Sequence, residues 1–232
     1  MGSSGSLQNR LPEPLRVALE QSRDLGFLGA GSLDRHLLHA AGFAEAVETL
    51  GFRVDGESQS VLDLGSGGGI PGLLLASLWP QRPMVLLEAQ QRRVDFLNRA
   101  IDACGWRGRV TVLHGRAELL ARRGQLRHQH PVVVARSFGL PAVVAECASP
   151  FLAPSGVLVV SEPPPRYHDD IRRSALQVVD RWPSIGLAVL GLDSGTPFTS
   201  AGGFSYRVLR QVDACPDTYP RRVGVPAKKP LF

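Results

Sequence analysis

The chain has 232 residues, a formal net charge of +5, and 44% hydrophobic against 20% charged residues. This is enough apolar material for the core of an ordinary domain and argues against a disordered polyampholyte. No uninterrupted apolar run approaches the roughly 20 residues that span a bilayer. The three cysteines, Cys104, Cys147 and Cys215, are far apart, which argues against a disulfide framework or a zinc site and points to a reducing, cytoplasmic setting.

The opening Met1-Gly2-Ser3-Ser4-Gly5-Ser6 lacks the charged and apolar regions of a secretion signal and reads as a frayed end. Residues 11–50 read as helical: Leu15, Leu19, Leu37, Leu38, Ala41, Val47 and Leu50 recur at helix-face spacings, interrupted at 26–31. Ser32 or Asp34 is the expected cap of the second helix. A polar linker follows at 53–60. Strand and helix then alternate, with strands at 61–64, 84–87, 110–113, 132–135 and 157–160, and helices or helical turns at 73–78, 92–104, 118–123 and 142–148. Continuous apolar strands separated by helices predict a parallel sheet covered on both faces. Strands near 187–190 and 204–209 are expected to form a closing hairpin. The basic residues are unevenly placed: residues 91–128 hold nine arginines and three acids, and the last dozen residues add Arg221, Arg222, Lys228 and Lys229 with no acid. That pattern fits a polyanionic partner or, equally, a solvated basic face.

The strongest chemical feature follows the first strand, in Asp63-Leu64-Gly65-Ser66-Gly67-Gly68-Gly69-Ile70-Pro71-Gly72. Glycines at a strand-to-helix turn let the backbone bend sharply and approach a ligand. The spacing Gly67-x-Gly69-x-x-Gly72 matches the dinucleotide pattern, so a nicotinamide-dependent oxidoreductase is one reading. Asp63, two residues before Gly65, favours another. A carboxylate there suits the amino group and sulfonium of S-adenosylmethionine better than a pyrophosphate, and Pro71 removes an N–H that phosphate would use. Asp63 as a loop cap remains the plainer alternative. Glu88 ends the second strand at the ligand-binding edge of the expected sheet, where an acid can accept both hydroxyls of a ribose. Arg136 ends the fourth strand at the same edge, as a cofactor contact or a surface arginine.

These motifs resemble the RsmG/GidB-type 16S rRNA (guanine-N7) methyltransferases. The resemblance runs through Asp34-Arg35-His36-Leu37-Leu38, the glycine loop, Leu87-Glu88, Arg92-Arg93-Val94-Asp95-Phe96-Leu97, Gly115-Arg116-Ala117-Glu118, Ala135-Arg136-Ser137-Phe138 and Tyr219-Pro220-Arg221-Arg222 with Pro226-Ala227-Lys228-Lys229. It implies a Rossmann-like α/β, class I S-adenosylmethionine-dependent methyltransferase: a mostly parallel sheet with a closing hairpin and an N-terminal helical cap. The expected units are a cap at 1–60, a methyltransferase domain at 61–212 and a basic tail at 213–232. The cofactor is S-adenosylmethionine, with S-adenosylhomocysteine as product and no metal. By resemblance Gly65 and Ile70 belong to the cofactor loop, Ala117 and Glu118 to the adenine site, and Arg136 to the cofactor contacts; Asp63, Gly67, Gly69 and Glu88 complete the set. The implied partner is 16S rRNA or the 30S subunit, with Arg221, Arg222, Lys228 and Lys229 on phosphates, and no membrane.

The chain also departs from the pattern. Ser161-Glu162-Pro163-Pro164-Pro165-Arg166 stands where the family typically has a Lys-Gly pair after the fifth strand. A diverged paralogue acting on a small molecule or another RNA is the alternative reading. Guanine N7 has a lone pair and no proton to lose, so no catalytic base is expected and none is assigned.

Overall fold

The computed structural model describes residues 6–51, 60–163 and 181–232. Residues 1–5, most of the expected linker and residues 164–166 lie outside the described residues. Two helices, α1 (Glu13–Asp24) and α2 (Leu33–Thr49), precede the sheet. Ser32 caps α2, its Oγ accepting from the Arg35 N–H at 3.3 Å. Asp34, the other candidate, instead accepts from the Ser6 hydroxyl and the Gln8 N–H.

From there β1 (Val61–Leu64), α3 (Gly72–Leu78), β2 (Met84–Glu88), α4 (Gln91–Ala103), β3 (Val110–His114), α5 (Ala117–Leu120), β4 (His130–Ala135), α6 (Pro141–Ala148) and β5 (Leu152–Ser161) alternate as the apolar pattern requires. A short α7 (Ser184–Ala188), β6 (Thr196–Thr199), β7 (Ser205–Arg210) and α8 (Val225–Lys228) complete the described elements. The sheet order is β3-β2-β1-β4-β5-β7-β6. The first five strands are parallel; β7 runs antiparallel to both β5 and β6. The order reverses beside β1, which opens a crevice outside the carboxyl ends of β1 and β4.

Alternate strand residues face opposite layers. Val61, Met84, Leu86, Val132, Val134, Val157 and Val159 pack with the helices α1–α4 in one core cluster. Leu62, Leu64, Leu87, Val133, Ala135, Leu158 and Val160 join α5–α7 and the C-terminal segment in the other. Burial on both faces explains why these strands read as continuous apolar runs. The helices before β1 thus finish one covering layer of the sheet.

One expected element is corrected. The first arm of the hairpin is Thr196–Thr199, and 187–190 belongs to a helix and its end. Leu187 and Leu190 sit three apart, one helical turn, and both are buried. Gly191 then reverses the chain at φ +73°. The true edge strand is mostly exposed and carries Pro197, which only an edge tolerates, so it lacked an apolar signal.

Candidate functional site

The glycine loop leaves β1 by turning over β2: the N–H groups of Gly65 and Ser66 both donate to the Leu87 carbonyl at 2.9 Å. Gly65, Gly67 and Gly69 have φ of +77°, +54° and +90°, the left-handed region that a side chain resists. Their surroundings differ. A Cβ at Gly65 would meet the Phe138 ring at 2.6 Å, one at Gly68 would meet Leu28 at 2.8 Å and the Phe27 carbonyl at 2.9 Å, and one at Gly69 would strike Leu73. At Gly67 the nearest atom is the Gly65 carbonyl at 3.8 Å, so a side chain there would project into the crevice. Close packing therefore dictates Gly65, Gly68 and Gly69, and Gly67 is the glycine that faces open space. Ser22 donates to the Gly68 carbonyl at 2.7 Å and so pins α1 onto the loop.

Glu88 is the hub of this crevice. It is 5% exposed, and its Oε2 accepts from the Gly67 N–H at 2.9 Å. Its Oε1 accepts from the N–H groups of Ala89 and Gln90, both at 2.8 Å. The carboxylate thus fixes the tip of the loop against the end of β2.

Asp63 is fully buried, and Oδ2 accepts from the Gly72 N–H at 3.0 Å. It is a cap to that extent, and it occupies the start of α3 where a pyrophosphate would need free N–H groups. Oδ1 is buried with no hydrogen-bond partner. Burial pushes the Asp63 carboxyl up to about 7, against the downward pull of the Gly72 hydrogen bond and the Arg136 charge.

Ala117 and Glu118 open α5 beyond the end of β3, both buried. Burial alone would raise the Glu118 carboxyl, but the Arg116 guanidinium at 2.9 Å and the Gly224 N–H at 3.1 Å hold it below the usual range. Glu118 therefore ties the C-terminal segment to the sheet edge. Ile70 packs into the core formed with α1–α4, so any ligand contact there falls to its backbone.

Arg136 leaves the end of β4 and donates to His36 Nδ1 at 2.7 Å. A guanidinium can only donate, so Nδ1 is the acceptor and Nε2 carries the hydrogen, given to the Gly29 carbonyl at 2.9 Å. Burial lowers the His36 imidazole, which keeps it in that neutral form. Arg136, His36, Phe138, Glu162, Trp182 and Phe204 line a cavity of about 430 Å³ between α2 and the ends of β4, β5 and β7. Phe138 borders both spaces: the Cδ2–Cε2 edge of its ring closes on Gly65, and the residue also lines the cavity. None of Asp63, Gly67, Glu88 or Ala117 lines this cavity; it is a second compartment beside the loop. Nothing in the sequence marked Trp182, and Phe204 was expected only as the start of a strand and not as part of a cavity wall; the one local signal was the Gly202-Gly203 pair beside it.

The tail differs from the expectation at one residue. Arg221, expected on RNA phosphate, is committed to Glu146, a fully buried carboxylate that it meets through N at 2.8 Å, Nε at 2.9 Å and a terminal nitrogen at 2.6 Å. A buried carboxylate without that partner would be far costlier than a solvated arginine. Arg222, Lys228 and Lys229 are exposed. Arg127 holds the carbonyls of Cys215, Pro216 and Tyr219, and Arg122 holds that of Pro220. Much of the 91–128 arginine group is likewise bound within the fold. No helix among the described residues is long and apolar enough to cross a membrane.

The family model described as rRNA small subunit methyltransferase G matches residues 32–163. Ribosomal RNA small subunit methyltransferase G of Synechococcus sp. is 34% identical over 178 residues, 76% of this chain and 72% of the relative. The protein of the same name from Deinococcus radiodurans is 35% identical over 193 residues, 82% and 73% of the two chains. Among solved structures, an O-methyltransferase from Bacillus cereus in complex with SAH superposes with a TM-score of 0.55 at 15% identity, covering 88% of this chain and 92% of that one. The antibiotic-resistance methyltransferase Kmr gives 0.52 at 16% identity, covering 71% and 92%. At such identities the structural likeness concerns the fold, which these methyltransferases share.

Proposed function

The chain belongs to the GidB family, described as rRNA small subunit methyltransferase G, and from that membership we propose that it transfers the methyl group of S-adenosylmethionine to N7 of a guanine in 16S rRNA of the small ribosomal subunit. The observation that carries the reading is the pairing of two compartments across Phe138, a glycine loop held by Glu88 and a cavity under Arg136. One suits a donor and the other an acceptor base. The test is transfer of labelled methyl to small subunits lacking the modification, with the label expected in 16S rRNA as 7-methylguanosine. Label in another nucleoside, or in a small metabolite and not in RNA, would refute it.

The residues of the crevice fit the cofactor. Gly67 leaves open space along the loop. Glu88 has three of its about four acceptor sites taken by backbone N–H groups, which leaves one for a ribose hydroxyl. The unpartnered Oδ1 of Asp63 offers a negative end to a cationic ligand. When bound, S-adenosylmethionine supplies a methyl group activated by its sulfonium, which the N7 lone pair takes in line while the C–S electron pair stays on sulfur. No residue has to remove a proton. The work left to the chain is positioning: His36 holds Arg136 towards the cavity, and the ring of Phe138 separates base from loop.

Asp63 makes this reading pH-dependent. A cationic ligand favours the ionised carboxylate, whereas in the free protein burial holds that carboxyl near 7. Affinity for S-adenosylmethionine is therefore expected to fall as pH drops below about 7, by up to about tenfold per unit for one coupled proton. Asp63→Asn should bind more weakly and lose that dependence. Calorimetry from acid to alkaline pH checks this; an equally steep profile in the variant would remove Asp63 from the cofactor site. Stability of the free protein carries the opposite sign. The folded form keeps the proton to higher pH than the unfolded chain, so this contribution is present at acid pH and lost as pH rises through about 7.

Arg222, Lys228 and Lys229 are the phosphate-binding residues proposed for the tail. Replacing all three by alanine is expected to weaken RNA binding and to flatten the salt dependence of log K by about 0.7 for each phosphate no longer neutralised. A filter-binding salt series measures this, and an unchanged slope would place the RNA elsewhere.

A further inference from the structure

Glu162 gives the cavity a chemistry that the methyl-transfer reading does not use. Its main-chain N–H donates to the Ser205 carbonyl at 2.8 Å, which fixes the residue where β5 meets β7. The carboxylate Oε1 accepts from the Trp182 indole at 2.8 Å. Oε2 makes no hydrogen bond among the described residues; the Arg207 guanidinium pairs with it at 4.0 Å and the Arg181 guanidinium with Oε1 at 3.9 Å, contacts that hold the carboxylate by charge and are too long for hydrogen bonds. An acceptor-only group with an unused oxygen therefore lines a cavity whose other walls include the rings of Phe138, Phe204 and Trp182.

Among the bases, guanine presents two adjacent donors, N1–H and N2–H, on its Watson–Crick edge. A carboxylate matches that pair, whereas adenine would set its N1 lone pair against a carboxylate oxygen. Next to N1–H on the rim of the base comes O6, and beyond it, on the adjoining edge, N7, both acceptors. Strand β4 lies next to β5, about 4.8 Å away, and between β5 and β1 in the sheet. A guanine whose Watson–Crick edge lies at β5 would point N7 and O6 towards β4, where Arg136 can donate to O6, and on towards the glycine loop. We propose that Glu162 reads the acceptor base, accepting N1–H and N2–H of a guanine extruded into the cavity and thereby turning N7 towards the donor compartment. This rests on the guanine-N7 reading above and names the group that enforces it.

The test compares guanosine with inosine, which lacks only the N2 amino group, at the nucleotide that the wild-type enzyme methylates in reconstituted small subunits. Glu162→Gln keeps an oxygen for Trp182 but places an amide donor against the base. Wild type is expected to prefer guanosine by about tenfold or more in kcat/KM, and the variant to show a ratio near one. Affinity for S-adenosylhomocysteine should be unchanged, which shows that the variant is folded. A role limited to anchoring Trp182 would slow both acceptors alike; an unchanged guanosine-to-inosine ratio in Glu162→Gln, or no preference in wild type, overturns the proposal. If wild type binds S-adenosylhomocysteine yet methylates neither acceptor, the guanine-N7 reading itself falls and this proposal falls with it.

Discussion

Replacing Glu88 by alanine is expected to weaken S-adenosylhomocysteine binding by about a hundredfold or more while leaving most of the fold in place. Two losses combine. The ribose forfeits a hydrogen bond to a charged acceptor, worth roughly 1.5–3 kcal/mol. The Gly67 N–H also loses the partner that holds it at 2.9 Å, so the loop tip is no longer fixed in its left-handed turn. Ala89 and Gln90 are released at the same time. Glu88→Gln should fall between alanine and wild type, because its amide retains one acceptor oxygen but turns a donor towards backbone N–H groups. Calorimetry with S-adenosylhomocysteine measures all three, with circular dichroism as the control for folding. Binding within about threefold of wild type in Glu88→Ala would mean that the cofactor does not sit at the end of β2.

The largest effect on stability is expected from Arg221→Ala, at roughly 3–5 kcal/mol, the range for breaking a buried ion pair by removing one partner. Glu146 is fully buried, and both its oxygens depend on Arg221. Adding Glu146→Gln to Arg221→Ala should recover part of the loss, since a neutral amide tolerates the site better than an unpaired charge. Arg221→Lys should recover little, because an ammonium cannot reproduce the forked contact. Urea unfolding of the four proteins gives the answer. A loss below about 1 kcal/mol in Arg221→Ala would show that the C-terminal segment is not folded onto α6 as described.

How far the sequence could lead depended on how local each signal was. The alternation of β1 to β5 with their helices was legible because each strand is buried on both faces and each helix is short and bounded. Asp63 stood out because it lies two residues before the first glycine of the loop, and Glu88 because it ends β2 at the same edge of the sheet. The meaning of the individual glycines was not legible. Gly68 is required by Ser22, Phe27 and Leu28, some forty positions upstream, and Gly65 by Phe138, more than seventy downstream. The charge pattern left a polyanionic partner and a solvated face open for the same reason. Arg122, Arg127 and Arg221 bind carbonyls and a carboxylate that only tertiary folding brings to them. The acceptor cavity was the least legible feature, since its walls come from α2, the ends of β4 and β5, and the approach to β7. The first arm of the hairpin escaped notice because an exposed edge strand carries little hydrophobic pattern.

The decisive measurement is a crystal structure of the protein with S-adenosylhomocysteine. The ribose is expected at Glu88 Oε2, the amino end near Asp63 and the sulfur beside Phe138, facing the cavity under Arg136. A product molecule lodged in that cavity against Glu162, or bound away from Gly67, would contradict that placement.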